Sequence, residues 1–236
     1  MNIFLAGATG VIGRRLVRLL RDAGHAVTGT SRSEEKAKAL DVLGVRGVVV
    51  DVYDARALLK AMAGAYPDVV IHQLTDLPQS LDAGRPSNFE GNARLRIEGT
   101  RNLMAAAAVV GARRAIAQSI AFIYADGAGA RVETDPLDRN PARALTVGAV
   151  ESLEQQTLGV PGIDGVILRY GRLYGPGTWY ETATGAGPLH VDASAQAALL
   201  AVTKGRGIYN VAEDDGAVSS ERAKRDLGFD ASFRMR

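Results

Sequence analysis

Three glycines at regular spacing, Gly7-Ala-Thr-Gly-Val-Ile-Gly13, stand directly between an apolar run, Ile3-Phe-Leu-Ala6, and a segment of helical period, Val11 to Ala23. A strand feeding a helix through such a turn leaves the first N–H groups of the helix unpaired, at the positive end of its dipole. A pyrophosphate brought there meets those donors, and glycines let the backbone come close where a Cβ would collide. In this reading Gly7 makes the turn, Gly10 allows the close approach and Gly13 packs the helix on the strand. Gly7, Thr9, Gly10, Val11, Ile12 and Gly13 form the candidate phosphate-binding set. The plainer alternative is a tight strand–helix turn that binds nothing.

The rest of the chain repeats the same alternation. Apolar runs at Ala26 to Thr30, Gly47 to Val50, Asp68 to Gln73, Ala115 to Gln118, Gly165 to Arg169 and Gly207 to Val211 alternate with longer segments of helical period. Continuous apolar runs are what strands buried on both faces require, so the class is α/β, a doubly wound parallel sheet. In the first helix Ile12, Leu16, Leu19 and Leu20 form one stripe, while Arg14, Arg15, Arg18, Arg21 and Asp22 take a solvated face. Further helices are expected from about Asn88 to Val110, with an Ala-rich second half, and from Pro141 to Leu158. A cluster of Gly and Pro from Tyr174 to Pro188 divides a dinucleotide-binding domain, 1–173, from a small substrate annex, 174–236, interleaved with the end of the sheet.

Composition removes other chemistries. The chain has no cysteine, which excludes thiol catalysis, zinc–thiolate sites and iron–sulfur clusters and points to a cytoplasmic protein. Its formal charge is +2 with no basic run, so nucleic acid is not an expected partner, and no apolar window approaches a membrane span. His25, His72 and His190 lie far apart, which argues against a metal site, and His72 reads as a satisfied core histidine. No Gly-x-Ser-x-Gly elbow or Gly-Lys-Ser/Thr loop is present.

The glycine spacing resembles that of the short-chain dehydrogenase/reductase superfamily, in its extended, epimerase/dehydratase-like branch. Other segments are similar in the same order: Asp51-Val52, Val70-Ile-His-Gln-Leu74, Glu98-Gly-Thr-Arg-Asn-Leu103, Leu168-Arg-Tyr-Gly-Arg-Leu-Tyr-Gly-Pro-Gly177 and Leu189-His-Val-Asp192. The resemblance implies a Rossmann-type fold and an NAD(P) cofactor, with Asp51 and Val52 near the adenine and Gln73 and Leu74 beside the nicotinamide ribose. It also implies a two-fold dimer through the helices near 88–110 and 141–158.

Two questions turn on single residues. After the second strand, where an NAD-selective site places an acid on the ribose 2′-hydroxyl, this chain reads Thr30-Ser-Arg-Ser33. Arg32 can pair with a 2′-phosphate and Ser31 or Ser33 can donate to it, which favours NADP(H) over NAD(H). The alternative leaves Arg32 solvated and brings Glu34 or Glu35 to the ribose.

The resemblance also implies a catalytic Tyr with a Lys four residues later, yet no Tyr-x-x-x-Lys occurs in this chain, and Thr146 and Val150 fall at the matching helix positions. Ser119 matches the first of the family's paired serines and is a candidate for cofactor contact or catalysis. Tyr124 is a candidate replacement proton donor, with Arg169 or Arg172 as its possible partner cation. The expected function is an NAD(P)-dependent epimerase, dehydratase or reductase on an unidentified small hydroxyl or carbonyl substrate. A sensor or scaffold that binds the dinucleotide without chemistry is the alternative.

Overall fold

The computed structural model describes residues 1–77 and 89–235. In chain order it contains β1 (Asn2–Ala6), α1 (Val11–Asp22), β2 (Ala26–Ser31), α2 (Glu34–Val42), β3 (Arg46–Val49), α3 (Ala55–Ala63) and β4 (Val69–His72). These are followed by α4 (Glu90–Arg94), a π-helical turn (Leu95–Gly99), α5 (Thr100–Val109), β5 (Arg114–Ile120), a 3-10 turn (Pro141–Arg143) and α6 (Ala144–Leu158). The chain ends with β6 (Asp164–Tyr170), β7 (Arg172–Tyr174), β8 (Pro188–His190), α7 (Val191–Ala201), β9 (Gly207–Val211) and α8 (Glu221–Leu227). All seven expected strands form, each within two residues of its expected ends. The helix expected from Asn88 starts at Glu90 among the described residues, Asn88 itself lying outside them, and a π turn interrupts it.

Seven strands form one parallel sheet in the order β3-β2-β1-β4-β5-β6-β9, and β7 and β8 make a separate parallel pair. Successive side chains of a strand point to opposite faces, and the core divides accordingly. From β1, Ile3 and Leu5 join Ile71, Leu168 and the buried side of α1 and α7 on one face. Phe4 and Ala6 join Val70, Leu58, Met62, Leu103 and Met104 on the other, beneath α3 and α5. Each of the larger of these side chains, fully buried, contributes about 1.5–3 kcal/mol of apolar transfer free energy. The segment beyond 174 adds β9 to the sheet edge and α7 to the first face.

One surface expectation is corrected. Arg15 does not lie on a solvated face: its Nε donates to Asp192 at 2.6 Å, and its Nη2 donates to the Pro176 carbonyl at 2.8 Å. α1 packs against α7, which begins at Asp192's turn, so the side of α1 carrying Arg15 meets protein rather than water.

Strand order reverses between β1 and β4, whose neighbours lead away in opposite directions. In open α/β sheets the crevice beyond the carboxyl ends of such a pair is where ligands bind.

Candidate functional site

Each glycine of the first loop meets a different environment. Gly7 has φ +90°, and a Cβ there would lie 2.6 Å from the Gln73 carbonyl oxygen, so the turn and its contact with the end of β4 both require glycine. A Cβ on Gly13 would lie 2.1 Å from the Gly7 carbonyl oxygen. Gly10 is open: its nearest such contact is 3.4 Å, and the residue is exposed. Gly10 caps α1 with no side-chain bond, and no acid occupies the first turn, so the N–H groups there face outward uncompensated.

Beyond this loop lies a cleft of about 420 Å³. It gathers Gly7, Thr9, Gly10, Ser31, Arg32, Asp51, Val52, Gln73 and Leu74, nine of the expected cofactor residues, from the ends of β1, β2, β3 and β4. Val11, Ile12 and Gly13 do not line it; Ile12 and Gly13 are buried beneath α1. Asp51 Oδ1 accepts the Tyr53 N–H at 2.9 Å, which sets the turn after β3, and the Val52 carbonyl accepts Asn102 Nδ2 at 2.9 Å. Gln73 is buried, with its Nε2 donating to the Tyr170 hydroxyl at 3.3 Å, while its Oε1 has no partner among the described residues. An open glycine cradle, an uncapped helix N-terminus and an orphaned buried acceptor on one cleft fit a dinucleotide.

At the adenosine end the structure adds residues that sequence reasoning missed, Lys36 and Thr30, and places Ser33, a donor expected from the sequence, beside them. Ser31 Oγ accepts the Ser33 N–H at 3.1 Å and Ser33 Oγ accepts the Lys36 N–H at 3.3 Å, so each hydroxyl proton is left to donate elsewhere. Glu34 and Glu35 do not line the cleft, and Glu34 pairs with Lys38 at 2.9 Å. Lys36 reaches the cleft from the first turn of α2, directly after the Ser33 cap.

Ser119 and Tyr124 lie outside the cleft lining, in a buried polar network that the sequence did not reveal. Ser119 Oγ donates to Glu154 Oε1 at 2.7 Å. Arg169 holds Glu154 in a two-pronged ion pair, Nε to Oε1 at 2.8 Å and Nη2 to Oε2 at 2.6 Å, with both residues at least 95% buried. Arg169 Nη1 also donates to the Tyr124 hydroxyl at 2.8 Å, and that hydroxyl donates to Asn210 Oδ1 at 2.6 Å. Arg169 is thus the cation beside Tyr124, while Arg172 stacks over Phe122, 4.8 Å from the ring centre. Burial pushes the Tyr124 phenol up, with Arg169 only partly opposing it. Val150 is buried and Thr146 half-buried on α6, and neither supplies an acid or base.

His72 closes the end of β4. Its Nδ1 accepts the Leu74 N–H at 3.2 Å, which leaves Nε2 to donate to Thr100 Oγ1 at 3.1 Å. Burial, aided by the charge of Arg96, pushes its pKa down to about 4, so it is neutral at ordinary pH.

Residues 3–188 match the NAD-dependent epimerase/dehydratase family. A 3-diazoavenalumate denitrifying reductase from a Streptomyces species is 41% identical over 94% of this chain and 79% of its own length. A 4-hydroxy-2-methyl-3-oxo-4-farnesyl-3,4-dihydroquinoline-1-oxide ketoreductase from Stigmatella aurantiaca is 30% identical over 72% of this chain and 49% of its own length. In fold, the chain is similar to the Thermus thermophilus UDP-glucose 4-epimerase solved with NAD, with TM-score 0.79 and 18% identity over 100% of this chain and 95% of that one. Its glycine loop, sheet order and cleft agree with these likenesses, and the chain belongs to the NAD-dependent epimerase/dehydratase family.

Proposed function

We propose that this epimerase/reductase-like oxidoreductase is an NADPH-dependent reductase whose substrate accepts a hydride without needing a proton from the protein. The observation that carries the reading is the pairing of a complete dinucleotide cleft with two candidate hydroxyls whose protons are already committed, Ser119 to Glu154 and Tyr124 to Asn210. A phenol whose pKa burial raises, four residues before an alanine instead of a lysine, is a weak proton donor at neutral pH. When bound, the nicotinamide supplies a hydride. The substrate class that fits is an aromatic diazonium: departure of neutral N₂ takes the place of protonation, and hydride in with N₂ out balances atoms and charge. The similar Streptomyces protein carries out a denitrifying reduction by its name, which supports the same class here.

Residues of the chain then bind and orient. The first-turn N–H groups of α1 and Gly10 hold the pyrophosphate, Gln73 Oε1 accepts from the ribose of the nicotinamide half, and Asp51 and Val52 flank the adenine. Arg32 and Lys36, with the hydroxyls of Ser31 and Ser33, receive a 2′-phosphate, which favours NADP(H) over NAD(H). Residues 174–236 form the substrate side, and two copies pair through α5 and α6, where Val109 and Leu158 are exposed.

The test is NADPH carrying deuterium on the transferred position, offered an aryl diazonium and, separately, a panel of ketones. Consumption of NADPH with N₂ release from the diazonium supports the reading. Turnover of ketones but not of the diazonium would sink it, and tight cofactor binding without turnover of either would favour the sensor. An Arg32→Ala, Lys36→Ala pair is expected to weaken NADPH binding at least tenfold and to leave NADH binding alone.

A further inference from the structure

Arg96 projects from the π turn between α4 and α5, and α6 packs against that turn. π turns re-aim side chains and recur at functional sites. Its neighbour Arg94 spends its charge on the surface, on Glu98 at 3.0 Å and over the Tyr53 ring at 4.2 Å. Arg96 does neither: the residue is half-buried, and its guanidinium makes no hydrogen bond or ion pair among the described residues. The groups whose charge couples to it are His72 and Glu154. His72 is neutral, and Glu154 already accepts two bonds from Arg169 and one from Ser119. The Glu154 charge favours the guanidinium but offsets its burial only in part, and Arg96, one turn before the Thr100 whose Oγ1 meets His72 at the end of β4, has no anion of its own among the described residues. Burial lowers the Arg96 guanidinium to about 10, which still leaves it charged at neutral pH.

An unpaired, partly desolvated guanidinium is costly unless a ligand supplies the anion. Its planar fork matches a carboxylate in a two-pronged bond, which a phenol or a carbonyl does not offer. We propose that Arg96 anchors a carboxylate on the substrate, on the Ser119 side of the site. The assignment rests on the reading of this site as the place of hydride transfer, and it deepens that reading by naming a second group the substrate must carry.

The experiment is calorimetric titration of the NADP-saturated protein with benzoate and with uncharged benzamide, in wild type, Arg96→Gln and Arg96→Lys. Wild type is expected to bind benzoate at least tenfold tighter than benzamide. Arg96→Gln should weaken benzoate by about ten- to a hundredfold and erase the preference, with the NADP affinity unchanged and the melting temperature of the benzoate-free protein the same or higher; Arg96→Lys should restore part of the preference. Equal binding of benzoate and benzamide by wild type overturns the proposal, as does unchanged benzoate binding in Arg96→Gln. If Arg96→Gln does not fold, the wild-type comparison and Arg96→Lys decide alone. Because no turnover is involved, this titration can fail while the diazonium assay succeeds, and the reverse.

Discussion

A methyl group added at Gly10 and one added at Gly13 enter different surroundings although the two residues share a loop. At Gly13 it meets backbone at 2.1 Å, which the core cannot relieve, and Gly13→Ala is expected to cost about 3 kcal/mol of stability or more. At Gly10 it meets space, with an ordinary φ of −73°, so Gly10→Ala should shift stability by less than about 1 kcal/mol. With the pyrophosphate placed as proposed, the same methyl would stand in its approach, and Gly10→Ala should weaken dinucleotide binding at least tenfold. Urea denaturation and a cofactor titration of both variants check the contrast. His72 offers a test in pH. Its folded pKa, about 4, lies below the ordinary 6.5, so as pH falls the unfolded chain takes up the proton first. The stabilisation is whole above pH 6.5 and drains away toward pH 4, by about 3 kcal/mol in all. Denaturation curves across that range should fall more steeply for wild type than for His72→Gln, which cannot charge; parallel curves would refute the assignment.

Among the helices, the way each one starts separates function from support. α2 begins at Ser33, whose Oγ accepts the Lys36 N–H, and α3 begins at Asp54, whose Oδ1 accepts the Ala57 N–H at 2.9 Å. α1 alone among these three begins with no side-chain cap, at the loop that faces the cleft. A cap there would take up the donors a phosphate needs. Asp54→Ala is therefore expected to cost about 1 kcal/mol, read by denaturant midpoint, with cofactor affinity unchanged. α1 and the strands were legible in the chain because their signals are local: a period, a run, a glycine. The π turn was not, because it departs from the helical period by a single residue and carries no sequence signature of its own.

At the scale of the whole molecule, α5 turns Leu103, Met104, Ala106 and Ala107 to the sheet and leaves Ala105, Ala108 and Val109 outward, so its Ala-rich stretch serves packing on one side and offers a surface on the other. If that surface pairs two copies, sedimentation equilibrium should find a dimer that Val109→Asp converts to a folded monomer with the same circular dichroism spectrum; a monomeric wild type would remove the proposal. The strands, the glycine loop and most of the residues that line the cleft were determined by the sequence alone, because each acts where its own strand or turn ends, whereas the strand order came from the tertiary structure. The polar network was decided by tertiary structure. Ser119, Arg169 and Asn210 are partners in register across β5, β6 and β9, and Glu154 reaches them from α6, so residues far apart in the chain become neighbours only when the sheet sets its register. Arg15 and Asp192, brought together by the packing of α1 on α7, are a second case. Hydrophobic period is written along the chain, whereas a buried charge finds its partner across it, and that is why the sequence located the cofactor cleft while the fold alone showed which hydroxyls are already spoken for.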